Sequence, residues 1–243
     1  MTEWLNLMEA TWPAARRWQA GPWILRDGKG GGGRVSATTA AHDDWSEGDI
    51  AIAEAAHHGS GQVPLFMVRD GEDRLDAALA ARGYALHDPV DLFMAPVSRL
   101  AAEAPRRLTT FAIWPMLAIM RDHWAEAGIG PERIAVMERA AAPKTTILGR
   151  LEDRAAGGVF AAVNGDVAYV HALHVLPGFR RKGLARDMMR AAAQWAATHG
   201  ARSLALPVTR ANDAGQGLYR SLGMEVVDHY HYRRLVPAEV PAA

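Results

Sequence analysis

The chain has 243 residues, 49% apolar and 22% charged, enough for one large domain or two small ones with ordinary packed cores. Its 27 Lys and Arg balance 27 Asp and Glu, and a formal net charge of zero disfavours a nucleic-acid partner. Cysteine is absent, which excludes disulfides, thiolate catalysis and zinc–thiolate sites.

The opening Met-Thr-Glu-Trp lacks the basic-then-apolar pattern of a signal peptide. No apolar stretch approaches the roughly 20 residues that cross a bilayer. The expectation is a soluble cytoplasmic protein without a membrane partner. A first helix is expected at about Thr2–Thr11, followed by strands at Trp23–Arg26 and Arg34–Thr39. Between those strands, Gly28-Lys-Gly-Gly-Gly-Gly33 lacks the Gly-Lys-Ser/Thr ending of a phosphate loop and does not open a helix, so it reads as a hairpin tip. His57-His58 before Gly59 reads as a helix end.

Residues 64–96 and 204–236 share a layout at a constant offset of 140. Each opens with a short apolar strand, Pro64–Val68 or Leu204–Val208. Each continues through a polar turn into a helix closed by glycine, Gly83 or Gly223, and then into a β-like stretch carrying Asp88 or Asp228. Val97–Thr110, rich in Ala, Arg and Pro, reads as a linker. Helices are expected over Met116–Ala127 and from Pro131, a residue tolerated at the first helical position. Strands follow at Thr145–Leu151, Gly158–Val163 and Val167–Val175, the last two joined by the hairpin signal Asn164-Gly165. A helix over Leu184–His199 leads to the strand Leu204–Val208, a βαβ unit with parallel strands.

The most informative run is Val175-Leu-Pro-Gly-Phe-Arg180-Arg-Lys-Gly183-Leu-Ala185. It places basic residues and a glycine at a strand-to-helix turn, where free N–H groups and the helix dipole hold phosphate. Arg180, Arg181, Lys182, Arg186 and Arg190 crowd eleven residues that contain one acid, Asp187.

This segment resembles the GCN5-related N-acetyltransferases, whose acetyl-CoA loop reads Gln/Arg-x-x-Gly-x-Gly/Ala. Arg180-Arg-Lys-Gly183-Leu-Ala185 matches it, preceded by Leu173-His-Val175-Leu-Pro177 and followed by Asn212-Asp-Ala214 and Leu218-Tyr219-Arg-Ser-Leu-Gly223. The resemblance covers about residues 110–236. It implies a mixed α/β fold of two such units in tandem: a degenerate half at 1–100, a linker at 101–110 and a catalytic domain at 111–243. It implies that amides of Arg181, Lys182, Gly183, Leu184 and Ala185 bind the coenzyme A pyrophosphate, aided by Arg180. It adds Leu173, His174, Val175, Asn212 and Tyr219 as cofactor contacts, with the Val175 amide polarising the thioester carbonyl. Pro207, which removes a ladder donor, fits the gap where the two parallel strands splay around the pantetheine arm. Tyr219 would protonate the departing thiolate; the matching repeat position, Leu79, cannot.

A base or a water path must deprotonate the amine. Strand alternation puts Tyr169, His171, Leu173 and Val175 on one face and His174 on the other. His171-Ala-Leu-His-Val175 resembles the strand of the arylalkylamine N-acetyltransferases, which implies His171 as the base, with a bound water as the alternative and His174 less favoured on the other face. His229-Tyr-His-Tyr232 could line an acceptor pocket or form two sheet faces. No metal is expected, because His229 and His231 lack a third ligand nearby in the sequence. The expected activity is direct acetyl transfer from acetyl-CoA to a small-molecule or peptide amine, in a monomer or homodimer. The rivals are a catalytically silent acetyl-CoA-binding module and a protein N-terminal or lysine acetyltransferase.

Overall fold

Apolar runs at strand period and apolar stripes at helical period alternate along the chain. The computed structural model, which describes residues 3–235, is accordingly a mixed α/β protein. In chain order the elements are α1 (Glu3–Thr11), β1 (Arg16–Ala20), β2 (Trp23–Asp27), β3 (Thr39–Ala40), α2 (Ile50–Gly59), β4 (Leu65–Arg69), α3 (Asp73–Ala81), β5 (Tyr84–Pro96), α4 (Val97–Ala101), β6 (Thr110–Ile113), α5 (Ala118–Glu126), α6 (Pro131–Arg139), β7 (Lys144–Leu151), β8 (Arg154–Asn164), β9 (Val167–Val175), α7 (Leu184–Thr198), β10 (Ser203–Thr209), α8 (Asp213–Ser221) and β11 (Glu225–Leu235). Thr2 and position 236, which bound the expected first helix and the expected repeat, lie outside the described residues.

The chain forms two compact units. Among the described residues, unit 1 holds 3–13, then Leu92–Val208 and Asn212–Val227; unit 2 holds Ala14–Asp91, Thr209–Ala211 and 228–235. The opening helix α1 thus belongs with the segment that carries the glycine-containing loop.

In unit 1, β10, β9, β8, β7 and β6 are successive neighbours. β9 and β10 run parallel, as the βαβ reading requires, and the other pairs are antiparallel. The β8–β9 hairpin turns where expected, with Asn164 opposite Val167 and Gly165 at φ 61°. One sheet face presents Val159, Ala161, Ala168 and Val170 to the apolar stripe of α7: Leu184, Met188, Met189, Ala192, Ala193 and Ala196. Alternate positions on β8 face the other way, where Phe160 meets Trp12 after α1 and Gly158 lies under Met120 and Trp124 of α5. The stretch read as a linker opens instead with α4. Val97 and Leu100, three residues apart, bury themselves in the unit 1 core, and Arg99 donates to the Gly223 carbonyl at 2.7 Å.

In unit 2, β1, β2 and β3 form an antiparallel sheet, and β4 pairs antiparallel with β11. Trp23, Phe66, Tyr84, Ile50 and Leu79 are central to its core. The expected strand Arg34–Thr39 is a correction. Gly30 and Gly32 take φ of 81° and 100°, and Gly33–Val35 coils into a 3-10 turn, leaving only Thr39–Ala40 extended. The repeat is visible in the elements: α3 and α8 are offset by 140 residues at both ends, and Gly83 and Gly223 follow them at φ 86° and 74°.

Candidate active site

β9 carries a bulge that overturns the face assignment made from alternation. The β8–β9 register slips between Gly158, opposite His174, and Phe160, opposite His171. Ala172 sits there at φ 54°, in the left-handed region. A bulge inserts one extra residue and so reverses every later side chain. Leu173 and Val175 consequently pack with Ala168 and Val170 toward α7. His174 turns to the face of His171, within electrostatic reach of His123 and Glu126 on α5. Two contacts hold the bulge: Trp124 Nε1 donates to the Ala172 carbonyl at 2.9 Å, and β9 lies so close to β8 that a Cβ on Gly157 would stand 2.4 Å from the His174 carbonyl oxygen.

Just ahead of the bulge the two parallel strands part. Their ladder pairs Val167 with Ser203, Ala168 with Leu204 and Tyr169 with Ala205, while Val170–Val175 and Leu206–Thr209 lie past its last rung. Pro207 falls in that diverging segment, past the last β9–β10 rung, where its missing N–H takes nothing from the pairing with β9.

The basic loop closes the end of β9. After a 3-10 turn at Pro177–Phe179, Arg180 Nε donates back to the Val175 carbonyl at 3.0 Å. Arg181 takes φ 63° and Gly183 φ 84°, the left-handed geometry for which glycine lacks the Cβ penalty. Gly183 caps α7, whose first turn leaves the N–H groups of Leu184, Ala185 and Arg186 without intrahelical partners, because Asp187 N–H makes the bond to Gly183 O. Arg181, Lys182 and Gly183 are exposed, as an anion site requires. These residues fit a diphosphate group.

Two residues that support the loop escaped sequence reasoning. Asp187, 2% exposed, accepts from Arg106 Nε at 2.8 Å and from the Arg106 backbone N–H at 3.2 Å. Arg106 also donates to the Lys182 carbonyl at 2.9 Å. The only signal for this was Asp187 itself, the lone acid in a basic run.

α8 supplies Tyr219, buried with Phe93 in the unit 1 core, their ring centroids 5.7 Å apart. Burial pushes its hydroxyl up to about 12. Arg186 on α7 donates to Ser221 at the end of α8 across 3.0 Å. Asn212 caps α8, its Oδ1 accepting from Gly215 N–H at 2.9 Å. His171 is 3% exposed. Its Nε2 meets Thr11 Oγ1 at 3.0 Å, and Trp12, Phe160 and Tyr169 surround its ring. His174 is only half-buried. Burial, then the neighbouring Arg180 and His123, lower its pKa, while Glu126 works the other way. His123 is itself buried, and its Nδ1 has no hydrogen-bond partner. Of the C-terminal aromatics, Tyr230 and Tyr232 are buried in unit 2, edge to face at 5.5 Å, and His231 pairs with Asp76 at 2.6 Å.

Residues 114–224, which contain all the elements of this site from α5 to α8, match the model of the Acetyltransferase (GNAT) family. The uncharacterized N-acetyltransferase YobR of Bacillus subtilis (strain 168) is 25% identical over 238 residues, covering 94% of this chain and 96% of its own. A GCN5-related N-acetyltransferase from Kribbella flavida superposes with a TM-score of 0.74 at 18% identity, over 98% of this chain and 95% of its own. A tandem GNAT protein from the clavulanic acid biosynthesis pathway does so with a TM-score of 0.60 at 13% identity, over 89% and 79%. At such identities the solved structures bear on the fold. The family model thus falls on residues 114–224, the full-length relative carries an N-acetyltransferase name, and the solved structures share the fold.

Proposed function

We propose that unit 1 is an acetyl-CoA-dependent N-acetyltransferase that passes the acetyl group directly to a primary amine. The observation that carries this reading is the three-rung β9–β10 ladder, which opens beside a helix started by a left-handed glycine. The opening leaves strand backbone beside a ready anion site, which suits a ligand with a thin arm ending in a diphosphate.

Acetyl-CoA would supply an activated thioester carbonyl and a thiol leaving group. The first-turn amides of α7, with the loop amides of Arg181, Lys182 and Gly183, would hold its diphosphate, and Arg180 would add charge. The backbone of Leu173–Val175 would orient the carbonyl, with the Val175 N–H polarising it. Tyr219, pushed up to about 12, keeps its proton throughout the neutral range and so can donate it to a forming thiolate. On the amine side the bulge adds a second candidate base to His171. His174, with its pKa lowered, stays neutral near pH 7 and has a lone pair available to accept the proton of an ammonium. With no cysteine in the chain, no thiol acyl-enzyme forms.

Unit 2 carries the β4–α3–β5 repeat with the fully buried Leu79 where α8 has Tyr219. We read it as a degenerate, non-catalytic tandem half. Thiol release from acetyl-CoA across a panel of aminoglycosides, small aliphatic and aromatic amines and peptides tests the assignment. Turnover with at least one amine is expected. Tight acetyl-CoA binding with no turnover on any acceptor would make the protein a binding module instead.

A further inference from the structure

β4 ends at Arg69, and the β4–β11 register sets Tyr230 opposite Arg69. The next step along both strands brings Asp70 beside His229, with Asp228 preceding it. Ligand atoms of Asp70, Asp228 and His229 all lie within 4.8 Å of one another. The third ligand that His229 lacks in the sequence is therefore supplied by the ladder, from the far end of the chain.

Asp228 makes this more than an acidic cluster. It is only 7% exposed; one carboxylate oxygen, Oδ1, accepts the His229 N–H at 2.7 Å, and the other, Oδ2, is buried with no hydrogen-bond partner. Leaving a polar carboxyl oxygen buried and unpaired is costly, and a bound cation relieves it. His229 Nε2 and Asp70 Oδ1 stand 3.4 Å apart. Two donors at about 2.1 Å from a tetrahedral centre stand about 3.4 Å apart. An ion pair alone would explain that distance but would leave the Asp228 oxygen unpaired.

We propose that Asp70, Asp228 and His229 form a binding site in unit 2 for a first-row divalent cation. Two carboxylates and one imidazole suit a borderline ion such as Zn²⁺ or Mn²⁺, with water completing the coordination sphere. The ion clamps the end of β4 to β11 and stabilises unit 2 by mass action. The Asp70 side chain is largely exposed and that of His229 about half exposed, so both can adjust to the ion and both can be replaced without disturbing the core.

The test is calorimetric titration of the chelator-treated, full-length protein with Zn²⁺ and with Mn²⁺, together with the thermal midpoint. One equivalent of at least one ion should bind and raise the midpoint. Asp70→Asn and His229→Ala, with unchanged circular dichroism, should each weaken binding about tenfold or more, since even outer-shell losses cost 10–100-fold. His42→Ala, at an exposed histidine outside the cluster, should bind as the wild type does. Absence of saturable binding at millimolar metal, binding that survives both cluster substitutions, or an equal loss in His42→Ala would overturn the site.

Discussion

Arg106 holds Asp187 from two sides, its Nε donating to Oδ2 at 2.8 Å and its backbone N–H to Oδ1 at 3.2 Å. The acid is buried in the first turn of α7, where the helix dipole favours a negative charge. The guanidinium continues to the Lys182 carbonyl, so a residue far upstream fixes the loop conformation.

Arg106→Ala leaves the Asp187 carboxylate buried without its cation. A loss of about 1–3 kcal/mol in stability follows from the unmet acceptor, measurable by urea unfolding. Acetyl-CoA affinity should fall as well, because Lys182 and Gly183 lose their support. If stability falls while calorimetric affinity holds, Arg106 supports the fold without organising the loop.

Tyr219→Phe should lower turnover by roughly 100-fold, the scale of a lost acid–base group, with acetyl-CoA affinity little changed. Because burial pushes the hydroxyl up to about 12, wild-type turnover should show no deprotonation limb from Tyr219 between pH 6 and about 10. Full activity in the Phe variant would remove Tyr219 from the mechanism.

Arg180→Ala removes both the anchor on the Val175 carbonyl and one loop charge. Acetyl-CoA binding should weaken about tenfold, the equivalent of one modest charge-assisted hydrogen bond. Since part of the binding is electrostatic, the deficit should shrink as salt is raised. A salt-independent deficit would point to loop geometry as the cause.

His171→Gln and His174→Gln separate the two candidate bases. If His174 takes the proton, only its replacement abolishes the low-pH limb of the rate profile. His171→Gln should chiefly lower stability, because its ring lies packed between Trp12 and Tyr169 and meets Thr11. The reverse pattern would return the role to His171.

His57 governs an acid-sensitive step in stability. Its ring is buried, Nε2 meets Thr38 Oγ1 at 2.8 Å, and burial lowers its pKa to about 4 from an ordinary value of 6.5. The unfolded chain therefore takes up the proton first. The stabilisation is complete above about pH 6.5 and is lost as the pH falls toward 4, on the order of 3 kcal/mol in all. The pH dependence of the thermal midpoint across this window should flatten in His57→Asn. An unchanged slope would assign the acid loss to carboxylates.

The strand Thr145–Leu151, which the structure begins at Lys144, the strand Val167–Val175, the helix from Leu184, the Asn164-Gly165 turn and the loop at Arg180–Ala185 were legible in the sequence. Their signals are local: apolar period, turn chemistry, and glycine where φ is positive. The 140-residue offset likewise gave α3 and α8 their matching bounds. Three things depended on contacts between distant segments. The bulge at Ala172, held by Trp124 and by the close approach of Gly157, reversed the faces of Leu173, His174 and Val175. The partner of Asp187 came from Arg106, and the partners of His229 from Asp70 and Asp228. Residue type and spacing fix which backbone conformations are inexpensive. They do not fix which side chains the tertiary fold brings within bonding distance; in unit 1 that pairing selects the candidate base and braces the loop, and in unit 2 it gathers Asp70, Asp228 and His229.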